Sequence, residues 1–74
     1  MPDRPDRLNA KQVEDVLARN GFRLVSQRGS HRKWRHDAQR SQVIVPDHRG
    51  RDLPIGTLRA IQSASGIAAD EWHR

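Results

Sequence analysis

An α+β fold is what this sequence predicts, ordered α-β-β-β-α, with two helices on one face of a three-stranded antiparallel sheet. Two features carry that expectation. Apolar residues recur at helical spacing near each end of the chain, and between them the period shifts to two, in short segments parted by turn residues. At 74 residues the chain has room for one small domain, which buries only about 60% of its unfolded surface. The expected layout is a flexible tail over residues 1–7 and one domain over 8–74.

The first helix has the clearest punctuation. Asn9 is placed to cap it, Gln12 three residues on can close a capping box, and Leu8 can staple onto Val13. Val13, Val16 and Leu17 form the apolar stripe, and Gly21 ends the helix with Phe22 free to fold back. Phe22–Gln27 reads as a first strand, Arg28-Gly29-Ser30 as a tight connection and His31–His36 as a second strand. Gln42–Val45 reads as a third, stopped by Pro46. A charged loop around Gly50 leads to a second helix, in which Ile55, Leu58, Ile61 and Ala64 recur at helical spacing. Pro54 suits its first turn and Gly66 its end. A last short turn carries Trp72.

Fourteen Lys and Arg face nine Asp and Glu, a formal charge of +5, and twelve of the fourteen are arginine. Between Phe22 and Arg51 the only acids are Asp37 and Asp47. A basic middle rich in guanidinium forks suits phosphate, and so a nucleic-acid face; a solvated surface chosen for solubility would look the same in composition. The absence of cysteine rules out disulfides and thiolate metal sites. No apolar run approaches the length of a membrane span, so the expectation is a cytoplasmic protein with no membrane partner. No histidine pair has zincin spacing, so neither metal nor cofactor is expected.

Strand alternation sends His31, Lys33 and Arg35 to one face of the second strand and Arg32, Trp34 and His36 to the other. Trp34, the only large apolar residue of that segment, should meet the helices; stacking on a base is its other possible use. His31 would then face solvent among cations, where a neutral imidazole can accept a proton. An ordinary surface histidine at a strand start would look no different. His48 is the possible partner, as an acid for a leaving oxygen or as a loop-holding side chain. His36 and His73 are expected to do nothing chemical. Gly56-Thr57-Leu58 could offer helix amides to a phosphate, or could simply start a helix that Thr57 caps.

Two stretches give a sharper pointer. Asn20-Gly21-Phe22 leads through Gln27-Arg28-Gly29-Ser30-His31 to Trp34, and Val45-Pro46-Asp47-His48 leads through Arg51-Asp52-Leu53 to Gly56-Thr57-Leu58-Arg59-Ala60-Ile61. Together, over about Leu8–Gly66, these resemble the HicA family of toxin–antitoxin mRNA interferases. The resemblance implies a double-stranded-RNA-binding-domain-like fold, translation-independent cleavage of RNA, and neutralisation by a HicB-type antitoxin. It also implies that His31, in the Gly29-Ser30-His31 motif, is the catalytic residue. Gly29, Ser30 and His48 are then supporting candidates, and Arg28, Lys33, Arg35, Arg49 and Arg51 candidates for RNA phosphates. The tail Met1–Arg7 and the charged pair Arg32-Lys33 depart from the family pattern. Two other readings stay open: a non-catalytic double-stranded-RNA-binding module, and a protein that only docks an acidic partner. With Lys11 and Lys33 its only lysines, the chain lacks the lysine-rich helix start of the former.

Overall fold

A computed structural model of the chain describes residues 7–72. The elements run α1 (Ala10–Arg19), β1 (Arg23–Arg28), β2 (His31–His36), β3 (Ser41–Pro46) and α2 (Ile55–Ser65), with a single 3-10 turn at Ala69–Glu71. The expected order is the one observed, and the sheet is antiparallel with β2 at its centre. The tail assigned to Met1–Arg7 lies, apart from Arg7, outside the described residues, as does His73.

Helix α1 begins and ends as its residues dictate. Asn9 Oδ1 accepts from the Gln12 N–H at 2.9 Å while Gln12 Oε1 accepts from the Asn9 N–H at 2.9 Å, closing the capping box. Leu8 and Val13 are both buried, as a hydrophobic staple requires. At the other end Phe22 N–H donates to Leu17 O at 3.0 Å and Gly21 N–H to Ala18 O at 3.3 Å, the Schellman pattern. Phe22 therefore belongs to the helix cap and the core, and β1 starts one residue later than expected. Gly21 meets two demands at once. Its φ is +90°, and a Cβ there would lie 2.8 Å from His36 Nε2.

Both helices pack on β3, whose Val43 and Val45 are buried while Ile44 between them is exposed. Trp34 is half-buried against this core. Trp72, expected only to ride on a turn, is a core residue at 3% exposure. In α2 the buried stripe is Leu58, Ile61 and Ser65 rather than Ala64, which is exposed. The Ser65 hydroxyl donates to Gln62 O at 2.8 Å and accepts from the Ile67 N–H at 3.1 Å, so its polarity is met inside the core. Gly66 ends α2 left-handed. Pro54 is the N-cap and no side chain caps this helix, which removes the expected capping role of Thr57.

Strand β1 departs furthest from expectation: all six of its residues are exposed. The helices cover β3 and reach β2, which leaves β1 as an outer edge with little above or below it. A bulge between Leu24 and Ser26 interrupts the β1–β2 register, with Val25 as the extra residue. An extra residue moves everything after it to the opposite face.

Candidate functional site

His31 opens β2 directly after the two-residue turn Gly29–Ser30, with Arg28 and His31 paired across it. Gly29 sits at φ +60° and Ser30 is not left-handed, the arrangement for which glycine in the first loop position is favoured. On its other side His31 pairs with Pro46, and Asp47 N–H donates to Ser30 O at 2.8 Å. The histidine is thus fixed by both neighbouring strands, while its side chain is exposed. The imidazole makes no hydrogen bond or ion pair with the described residues.

The registers stack three rows on the helix-free face: Arg28–His31–Pro46, then Ser26–Lys33–Ile44, then Arg23–Arg35–Gln42. The bulge makes the first two rows possible. In unbroken alternation from Arg23, Ser26 and Arg28 would face the helices; the extra Val25 turns them to His31. Arg28, His31, Lys33, Ser26, Gln27 and Ile44 line a shallow depression. Of the candidates, His31, Arg28 and Lys33 come together.

Arg35 stands apart. Its Nε is 3.0 Å from Asp37 Oδ1, and Arg23 Nε is 2.9 Å from Asp37 Oδ2. Hydrogen bonds from Arg23 and then Arg35 hold the Asp37 carboxyl below the ordinary carboxylate range, and Asp37 in turn raises Arg23. A depressed carboxylate contributes stability above its unfolded value, and that contribution is lost as pH falls through the folded value. The window is therefore below about pH 4. Asp37→Asn is expected to remove this acid-side dependence from a series of melts at falling pH. Near neutrality the pair is screened by solvent and adds little to stability. The same substitution is expected to tighten binding of a short RNA by freeing two guanidiniums, read as a steeper dependence on salt.

Arg49 and Arg51 are exposed on the turn His48–Arg51, where Arg49 and Gly50 have φ of +57° and +80°. The turn is closed by Arg51 N–H donating to His48 O at 3.1 Å. The His48 backbone holds this loop and its imidazole does not. That side chain is exposed, two residues past the strand partner of His31, and is not among the residues lining the depression. Gly29 and Ser30 shape the turn, and the Ser30 carbonyl ties it to β3 through the Asp47 N–H.

Behind the sheet lies a feature that sequence patterning missed. Glu14 is buried at 8% exposure; it accepts from Arg32 Nη1 at 2.8 Å and from the Trp34 indole N–H at 2.7 Å. Arg32 Nη2 also lies 3.9 Å from Asp47 Oδ2. Residues Arg32 and Trp34, on either side of Lys33, are thereby tied to α1, which leaves Lys33 and His31 on the open face. The signal was available: Glu14 falls on the buried arc with Ala10, Val13 and Leu17, and an acid there needs a partner. Ser26 and Ile44 were also missed. Ile44 was hidden in an unbroken apolar run and Ser26 behind a bulge that no turn residue announces.

The family model described as the HicA toxin of bacterial toxin–antitoxin systems matches residues 10–67 of this 74-residue chain. The chain belongs to the HicA toxin family. The match spans both helices and the whole sheet, His31 included. As a HicA-family member the chain is a toxin of a toxin–antitoxin system, which implies an antitoxin partner. No curated protein sequence matches it. Among the described residues of this HicA-family chain no helix is long and apolar enough to cross a membrane. Nor, among them, do three or more His, Cys, Asp or Glu residues gather where they could hold a metal ion.

Proposed function

We propose that this HicA-family toxin is an endoribonuclease that cuts mRNA in the cytoplasm, with His31 as its catalytic side chain. The carrying observation is that the His31 side chain is exposed and unbonded at the start of the central strand, in one depression with Arg28 and Lys33. RNA contains its own nucleophile. His31 takes the proton of a ribose 2′-hydroxyl, the 2′-oxygen bonds to the adjacent phosphorus, and the bond from phosphorus to the 5′-oxygen breaks. The leaving oxygen takes a proton from the imidazolium or from water. Arg28 and Lys33 hold the phosphate and stabilise the charge that builds on it. His48 is a candidate for the acid in that second transfer, and Arg49 and Arg51 extend the cationic surface along the strand leaving the site.

An acidic antitoxin of the HicB type fits the same face. It would occlude His31 and, by binding only the folded state, stabilise a small domain. The deciding experiment is incubation of the purified chain with a defined RNA in the presence of EDTA. Shortened products are expected. RNA bound but recovered at full length would overturn the nuclease in favour of a binding module, and RNA neither bound nor cut would leave only a docking protein.

A further inference from the structure

Ile44 is 49% exposed, in the middle row of this face, with Pro46 in the row beside it and Leu24 and Val25 exposed on the edge strand. A lone exposed aliphatic is ordinary on a protein surface; its neighbours are what single it out. Lys33 is its direct strand partner and Ser26 completes the row. All three line the depression that holds His31. The next row, one strand repeat of about 7 Å away, is Arg28–His31–Pro46. An RNA strand that runs from row to row, with its sugar and phosphate at Arg28 and His31, has a neighbouring nucleotide over Ser26, Lys33 and Ile44.

We infer that the row Ser26–Lys33–Ile44 is a nucleobase subsite, taking the flat face of one unpaired base next to the cleaved phosphate. This rests on the nuclease reading and adds the substrate class to it: RNA that is single-stranded at that nucleotide. The chemistry of the row suits a base. Ile44 offers an apolar seat, as base faces find on the sheet platforms of single-strand binders. The Ser26 hydroxyl can donate to or accept from a base edge, and the Lys33 ammonium can reach a carbonyl of the base or the phosphate beside it. A base in a duplex has both faces stacked and cannot lie on Ile44. The other exposed large aliphatics among the described residues, Leu24 and Val25, lie on the edge strand, and of the apolar side chains only Ile44 lines the depression.

The test uses the full chain and synthetic oligoribonucleotides. Once the cut bond is mapped on an unpaired RNA, the same RNA is made with an abasic ribose at each flanking position and as a hairpin that pairs them. Cleavage and binding are both measured. At one flanking position, loss of the base is expected to lower kcat/KM about tenfold, and Ile44→Ala to lower it by a similar factor on intact RNA. On the matching abasic RNA, Ile44→Ala is expected to have no further effect, and Ile44→Phe to restore or exceed wild-type binding of the intact RNA. The hairpin is expected to resist cleavage. Two losses that simply multiply, or a hairpin cut as fast as the open strand, would overturn the subsite while leaving the nuclease standing. If no RNA is cut, the nuclease reading falls, and the coupling of Ile44 to the base in binding affinity still decides the subsite. Thermal melts of each variant check the fold; with Ile44 half exposed, little change is expected.

Discussion

Replacing His31 with alanine is expected to slow RNA cleavage by about 10²–10⁴-fold, the range that one positioned proton-transfer group supplies. The same protein is expected to melt like the wild type and to bind RNA within a few-fold of it. The separation follows from the geometry. His31 is exposed and holds nothing else together among the described residues; substitutions at such positions change stability by no more than about 0.5 kcal/mol. The backbone that carries it is fixed independently by Gly29, by the pairing of Arg28 and Pro46, and by the bond from Asp47 N–H to Ser30 O. In the proposed reading RNA affinity resides in Arg28 and Lys33, which the substitution leaves in place. Their charge stabilisation also explains why some residual cleavage is expected. Initial rates and anisotropy titrations on one RNA are sufficient to check this. A variant that cuts at the wild-type rate would remove His31 from the chemistry. One that neither cuts nor binds would make it a binding residue instead. His48→Ala serves as the companion. A loss of comparable size would make it the second proton donor, whereas a loss under a few-fold would leave that step to water.

How much of this was legible beforehand depended on whether a feature is local. The capping box at Asn9 and Gln12, the left-handed Gly21 and Gly66, and the central strand His31–His36 are decided within a few residues. Each stands where local chemistry puts it. The alternation of β2 correctly separated His31 and Lys33 from Arg32 and Trp34, because β2 is flanked on both sides and keeps its register with β3 throughout. What failed was non-local. Nothing in Phe22–Gln27 announces that the helices stop short of β1, so a pattern that suits a half-buried strand became a fully exposed edge. The bulge at Val25 is a property of the strand pair, and it decides on which face Arg28 lies. Trp72 is buried by a turn whose position no periodicity reveals. The candidate site was therefore visible as residue types, and its assembly was not.

Glu14 shows what holds that assembly in place, and its removal is the largest stability effect expected. Glu14→Ala strips the acceptor from the Arg32 guanidinium and from the Trp34 indole N–H at once, and leaves a cavity on the α1 side of the core. Breaking a buried pair from one side costs about 3–5 kcal/mol. Here Arg32 is partly exposed and keeps Asp47 within 3.9 Å, which lowers the expected loss to about 2–4 kcal/mol. A domain of this size shifts its melting temperature by about 4–8 °C for each kcal/mol, so a fall of about 10 °C or more is expected in a thermal scan. The fall matters because domains of this kind have only about 5–15 kcal/mol in hand. Charge alone is not the cause, and a double substitution separates the terms. Glu14→Leu with Arg32→Met replaces the pair by apolar groups of similar bulk, and is expected to recover much of the loss. Arg32→Met in the Glu14→Leu background should then be stabilising, while in the wild type it should be destabilising. Melting at the wild-type temperature by Glu14→Ala would mean that α1 and β2 are held by Val13, Val16 and Leu17 alone. In that case the orientation of Lys33 and His31 would owe nothing to the carboxylate. If instead the variant melts early yet cuts at the wild-type rate at low temperature, the network sets how long the site persists and not how it works.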